Sequence, residues 1–482
     1  MIINLVSMKK NIKKLYTPLF YMKIIVLLFF CFAESGCKKF IEVEAPITSV
    51  NGGNVYTDDA NAIAAITGIY AKMSNTGFSL NFSIYPELSA DNFTLFTTLQ
   101  DLNYTLYFQN ALNSLYTNSP QFWDDEYNFI YTSNAAISGL SVTNSLTPAI
   151  KQRLLGEAYF IRAFHYFYLV NLYGDVPLVL STNYIDNSKL SKTPIASVYQ
   201  QMISDLNQAK SLLDDQYVDA SILRKTTERL RPNRMAVNAL LARVQLFVKN
   251  YAAADAASTE VINKTDLYSA RIPLNQVFLK NSMETIWALQ PMRFEFSTDE
   301  ANLYIPSESI GPVYLSASFL GSFEMGDLRR STWIGELVFD MYDYPYPAKY
   351  KALYGSSTLT EYSIVLRLAE QYLIRAEARA KLNDISGSQS DLNEIRHRAG
   401  LPNTSANTTE DLLTAILKER RIELFSEWGH RWLDLKRTDL INSVMQKEAP
   451  FKGATWQPYM ELYPIPYADI KVNSNLTQNT GY

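Results

Sequence analysis

The feature that most narrows the fold is a helical hairpin pattern, with small residues at the crossing points, that occurs twice. Between residues 234 and 249, Met235, Ala239, Ala242 and Leu246 share one helical face; Asn250 then turns the chain, and Tyr251, Ala254, Ala257 and Val261 line a second helix. The second copy places Leu373, Ala376 and Ala380 on a helix ending at Leu382, turns at Asn383-Asp384, and returns through Leu392, Ile395 and Ala399. Alanines let two antiparallel helices approach closely. A hairpin of this kind buries its apolar faces only by stacking on another, so several are expected.

That spacing is tetratricopeptide-like, and other segments agree with it. Residues 58–73 read as a helix that Thr57 can cap, with Ala62, Ile66, Ile69 and Met73 at helical spacing. Residues 121–140 and 150–173 read as further helices, the latter stopped by Gly174-Asp175-Val176-Pro177. The stretches 77–116 and 268–363 differ: rich in Tyr, Phe, Asn, Ser, Thr, Gly and Pro, they read as long loops and short strands between helix pairs. The predicted fold is mainly α, tetratricopeptide-like hairpins in an α-α superhelix, with a loop-rich subdomain containing short strands. With 47% hydrophobic and 19% charged residues, the chain has the composition of a folded protein.

The N-terminus reads as an export signal. Lys9, Lys10, Lys13, Lys14 and Lys23 precede the apolar run 24–33, about half of what a membrane span needs. Met1, Met8 and Met22 are all possible starts, and from Met22 the signal is already short and complete. Ser35-Gly36-Cys37 follows directly and resembles a lipobox, in which the cysteine thiol is acylated and becomes the mature N-terminus; Glu34 departs from the small or apolar residue usual there. Residues 1–36 are then the signal, 37–230 an N-terminal region and 231–482 a C-terminal region packed with it as one unit. An acyl chain at Cys37 would tether the protein through about 0.8 kcal/mol per buried methylene. Cys31 and Cys37 are the only cysteines, so nothing after Cys37 can form an internal disulfide.

Several function classes lose their signatures. Net charge is −4 and no basic block is present, which removes the footprint of nucleic-acid binding. His165, His397 and His430 are the three histidines, and none stands four residues from another as a paired zinc site requires. There is no G-x-S-x-G elbow, no P-loop and no G-x-G-x-x-G, and no cofactor or metal is implied. Paired carboxylates of a glycosidase need no fixed spacing, so a surface hydrolase remains an alternative, as does a plain helical scaffold. The block 419–437, dense in Arg and Glu, reads as ion pairing between helices around Trp432.

Lys38-Lys39-Phe40-Ile41-Glu42-Val43-Glu44-Ala45-Pro46, directly after Cys37, and Glu87-Leu88-Ser89-Ala90-Asp91-Asn92 resemble the start of the mature lipoproteins and an E-x-S-x-D-N segment of the SusD/RagB family. Arg162-Ala163-Phe164-His165-Tyr166 with Leu172-Tyr173-Gly174-Asp175-Val176-Pro177, Leu392-Asn393-Glu394-Ile395-Arg396, Gly429-His430-Arg431-Trp432 and Tyr463-Pro464-Ile465-Pro466 carry the likeness further. The resemblance implies a non-catalytic lipoprotein on the outer face of the outer membrane. It would bind oligosaccharides, or peptides as RagB-type members do, and pass them to a SusC-like TonB-dependent transporter.

A sugar-binding site needs exposed aromatic planes for the C–H faces of the rings, beside amides or carboxylates for the hydroxyls. Tyr and Phe are abundant here, 32 and 24 residues, and most fill helix interfaces. The loop-rich stretches supply the candidates: Asp91, Asn92, Phe93, Phe96 and Tyr104 in the first, and Trp333, Tyr342, Tyr344 and Tyr346 in the second. Prolines stiffen the latter segment and lower its ordering cost.

Overall fold

The computed structural model describes residues 55–96, 101–115, 122–292, 297–306 and 311–482; Cys37 and the export signal lie outside them. Residues 55–482 cluster as one unit. Helix α1 (Asp59–Asn75) begins at Asp58, whose carboxylate accepts from the Asn61 amide, so the cap is one residue later than Thr57. The carboxylate is the stronger acceptor for the free amides of the first turn. The stretch 77–116, expected as loops and short strands, instead holds α2 (Phe78–Ser89), a three-residue strand and the short helix Leu102–Phe108. Gly77 enters α2 at φ 72, and Pro86 sits inside that helix. Those two residues, with the serines and asparagines, disguised a helix whose Phe78, Phe82 and Leu88 are core.

At the centre is α4 (Pro148–Tyr173), packed between α3 (Phe122–Val142) and α5 (Ile195–Leu212). Every residue from Phe160 to Tyr173 is buried, with the polar Arg162, His165 and Asn171 meeting Asp205, Glu126 and Tyr199 inside the fold. Gly174, at φ 75, ends it where the sequence places the stop.

The two hairpins form where the alanines predict them. The first is α6 (Arg234–Phe247) with α7 (Tyr251–Ile262), the second α8 (Leu368–Lys381) with α9 (Ile385–Arg398), and α7 stacks on α8. Ala239, Ala242, Ala376 and Ala380 are fully buried at these crossings. Arg243 fixes α6 to α8 through a two-toothed pair with Glu370, at 2.7 and 2.6 Å. Helices α10 (Thr409–Glu423) and α11 (His430–Arg437) follow the second hairpin in the C-terminal half. The ion pairing expected over 419–437 runs from Arg420 and Arg437 to Asp434, and from Arg437 to Glu377 on α8.

Among the described residues, three two-stranded antiparallel sheets stand between the helical blocks: β1 (Phe93–Leu95) with β3 (Val313–Leu315), β2 (Thr285–Leu289) with β6 (Ser363–Arg367), and β4 (Ile334–Phe339) with β5 (Tyr342–Pro347). The first and third bring residues distant in sequence onto one surface.

Candidate binding site

The site is built outward from a buried anchor. Asp91 and Asn92 lie at the end of α2, 3% and 0% exposed, and their side chains turn inward. Asp91 takes a paired contact from Arg431 at 2.7 and 2.8 Å, and Arg421 reaches it at 3.0 Å. Burial alone would raise the Asp91 carboxyl, but the Arg431 hydrogen bond and the charges of Arg431 and Arg421 bring it down to about 2. Asn92 donates to Glu87 at 2.7 Å and accepts from Arg421 at 2.9 Å. These contacts fix the backbone that runs on into β1, where Phe93 pairs with Leu315 and is buried against Tyr304. The sequence candidates Asp91, Asn92 and Phe93 are therefore the footing beneath the surface.

What reaches the surface is the next ring along. Phe96 follows β1, half-buried, and meets the half-buried Tyr344 of β5 edge to face at 5.3 Å. Tyr344 in turn meets Tyr314 of β3 at 5.2 Å and 89°. Three strands thus converge on one cluster of Phe96, Tyr314 and Tyr344 with open rims. Tyr314 was not singled out in the sequence; its signal is the alternation Val313-Tyr314-Leu315, buried on either side and open in the middle. Tyr104 is not in this cluster but stacks on Tyr85 at 5.4 Å.

The hairpin β4–β5 extends the cluster away from the body. Asp340 and Met341 at its turn both have positive φ, 48 and 65, the two-residue geometry that matches strand twist. Val338, Phe339, Met341 and Tyr342 are exposed there. Tyr346 crosses over Gly335 on the facing strand, so close that a Cβ on the glycine would lie 2.2 Å from the ring.

Trp333, at the root of the hairpin, differs from its neighbours. It is 1% exposed, donates its indole N–H to the Leu274 carbonyl at 2.9 Å and packs on Phe278. One edge faces a cavity of about 500 Å³ rimmed by Ser356, Ser357, Thr358 and Thr360. Lys349 closes its floor, held by the carbonyls of Glu423 and Phe425 at 2.8 Å; burial pulls its ammonium down to about 8 against the upward pull of Glu427.

Two further buried carboxyls are shifted upward. Burial pushes both Glu87 and Glu300 up to about 7, and each lies 3% exposed or less. No group of three or more His, Cys, Asp or Glu able to hold a metal is present among the described residues, and no helix among them is long and apolar enough to cross a membrane.

Comparison with known proteins places this arrangement. Residues 326–482 match the profile described as the SusD family, and residues 39–246 match one described as starch-binding associating with outer membrane. The chain belongs to the SusD family. It is 28% identical to SusD-like protein P2 of Formosa agariphila, over 91% of this chain and 96% of that one. Over a shorter stretch, 24% of this chain and 21% of the other, it is 33% identical to the starch-binding protein SusD of Bacteroides thetaiotaomicron. Among solved structures, a SusD superfamily protein from Bacteroides vulgatus superposes with a TM-score of 0.76 at 20% identity, covering 89% of this chain and all of the other. A laminarin-binding SusD-like protein gives 0.74 at 23% identity, with 89% and 100% covered. The mainly α, hairpin-stacked fold of this SusD-family protein is thus shared with these solved relatives.

Proposed function

We propose that this SusD-family protein is a non-catalytic capture lipoprotein. It is anchored by an acyl group on Cys37 to the exterior of the outer membrane, binds oligosaccharides, and delivers them to a SusC-like TonB-dependent transporter. The observation that carries the reading is the cluster of Phe96, Tyr314 and Tyr344, whose rims are open while its anchor residues are sealed. Half-exposed aromatics backed by a rigid footing suit the C–H face of a sugar ring and limit the entropy lost on binding. The names of two relatives, a starch-binding SusD and a laminarin-binding SusD-like protein, support a sugar as ligand.

The test is binding of residues 38–482 to an array of glycans and peptides, with ligand masses measured before and after incubation. Binding of a glycan class without change of mass is the expected outcome. Cleaved glycan would overturn the non-catalytic part, and binding to peptides alone would replace the ligand class. Metabolic labelling with a fatty acid, lost in a Cys37→Ser variant, tests the anchor. Co-purification with a barrel transporter from the outer membrane tests the partner.

A further inference from the structure

The hairpin β4–β5 distributes its side chains over two faces, as any antiparallel ribbon does. One face collects the cross-strand pairs Gly335↔Tyr346, Leu337↔Tyr344 and Phe339↔Tyr342. Tyr342, Tyr344 and Tyr346 therefore stand at every second position of a single strand, about 6.8 Å apart, in a row about 14 Å long. Each ring is oriented by a separate contact. Tyr346 lies over Gly335, where no side chain lifts it off the ribbon. Tyr344 is braced edge-on by Phe96 and Tyr314. Tyr342, 66% exposed, stands beside Phe339 at the free end.

The charge along this ribbon has one sign. Between residues 334 and 347 the chain carries Glu336, Asp340 and Asp343 and no lysine or arginine. Arg330, from the turn of helix before the ribbon, offsets only Glu336, at 2.7 Å.

We propose that this face binds a neutral oligosaccharide held in an extended conformation, its rings lying along the row Tyr342, Tyr344 and Tyr346. The inference rests on the capture reading above and narrows its ligand. A row set by one strand is straight apart from gentle twist. A chain that coils leaves such a row after one or two rings, whereas a flat, extended chain keeps every ring over an aromatic plane. Uronate or sulfate groups would meet the like charge of Asp340 at the turn that ends the row, with no lysine or arginine on the ribbon to pair with them.

The experiment is calorimetric titration of the mature chain with hexasaccharides of three kinds. The neutral extended set is the β-1,4-linked hexamers of glucose, xylose and mannose; the coiled probe is the α-1,4-linked glucose hexamer; the acidic probe is the galacturonic acid hexamer. At least one extended neutral hexamer is expected to bind at least about tenfold tighter than the coiled and acidic probes. Tyr342→Ala, at an exposed position, should lose about tenfold of that affinity with an unchanged melting temperature. Gly335→Ala, which displaces the Tyr346 ring, should lose a similar factor. Equal or tighter binding of the coiled or acidic probe, or indifference to Tyr342→Ala, overturns the inference and leaves glycan capture standing. Binding to peptides with no sugar bound by the wild type would instead overturn the oligosaccharide part of the capture reading itself.

Discussion

Arg431 and Asp91, 340 residues apart in the chain, form a buried two-toothed ion pair at 2.7 and 2.8 Å that ties α11 to the strand leading into the aromatic cluster. Removing one member leaves the other charge buried without its partner. Asp91→Ala should therefore destabilise the fold by about 3–5 kcal/mol in urea denaturation, because Arg421 and Arg431 both lose their shared carboxylate. The pair also sets an acid limit. Asp91 titrates at about 2 in the fold against 3.8 unfolded, so its contribution is full above pH 4 and fades as pH falls through 2. That contribution is about 2 kcal/mol. Asp91→Asn should lack this component, and a denaturation series from pH 5 to 2 that falls equally in both proteins would refute it.

Glu126 and His165 form a second buried pair, 2.6 Å apart and both fully buried among Phe78, Phe129 and Phe164. Burial raises the Glu126 carboxyl, with Asp125 adding to the rise, and burial lowers the His165 ring, so the fold favours both groups neutral. Above its ordinary pKa the glutamate is ionised when unfolded and protonated when folded. The native state then loses about 1.4 kcal/mol per pH unit over that window. Glu126→Gln keeps the shape and removes the proton uptake. Its stability relative to wild type should rise as pH increases above the ordinary carboxylate range, and a flat difference in thermal denaturation there would exclude a protonated Glu126.

Burial separates the aromatic candidates into two kinds with opposite phenotypes. Trp333→Ala removes a residue 1% exposed whose indole also satisfies the Leu274 carbonyl, and should cost about 3–5 kcal/mol of stability. Tyr344→Ala and Tyr314→Ala remove half-exposed rings of the cluster. They should lower glycan affinity about tenfold while changing stability by about 1 kcal/mol or less. Parallel melting and titration measurements decide this, and a Trp333 variant that melts normally but fails to bind would move that residue to the surface site.

These contrasts show what the sequence could and could not disclose. The helical hairpins were legible because alanine spacing is local: Ala239, Ala242, Ala376 and Ala380 recur at helical intervals and sit where helices cross. Tyr342, Tyr344 and Tyr346 stood out by composition alone; their prolines suggested a stiff loop, and only the pairing of β5 with β4 puts the three on one face of a strand. Asp91 and Asn92 misled for the opposite reason. Polar residues in a loop-like stretch suggest a ligand, and only contacts 340 and 329 residues away reveal that Arg431 and Arg421 consume them. Tyr314 escaped notice because its partners, Phe96 and Tyr344, belong to other strands, and pairing across sheets leaves no local trace.

The same remoteness applies to Lys452, which lies beneath the anchor and was not singled out by any motif. Its ammonium donates to the carbonyls of Leu88 at 2.6 Å, Ser89 at 3.2 Å and Ala90, the orphan acceptors at the end of α2. It also lies over the Phe108 ring at 5.1 Å. A cation on the last carbonyls of a helix closes that end and favours its dipole. Here it also fixes the backbone immediately before Asp91, and so the path to Phe96. Lys452→Met keeps the apolar stem and removes the donors, leaving three carbonyls without that partner at a cost of about 1–3 kcal/mol. Because the loosened segment leads into the cluster, sugar affinity should fall in the same variant at temperatures well below its melting point. Lys452→Arg, which retains charge and donors, should recover part of both losses. A methionine variant with wild-type stability and affinity would show that α2 closes without the lysine and that the aromatic cluster does not depend on it.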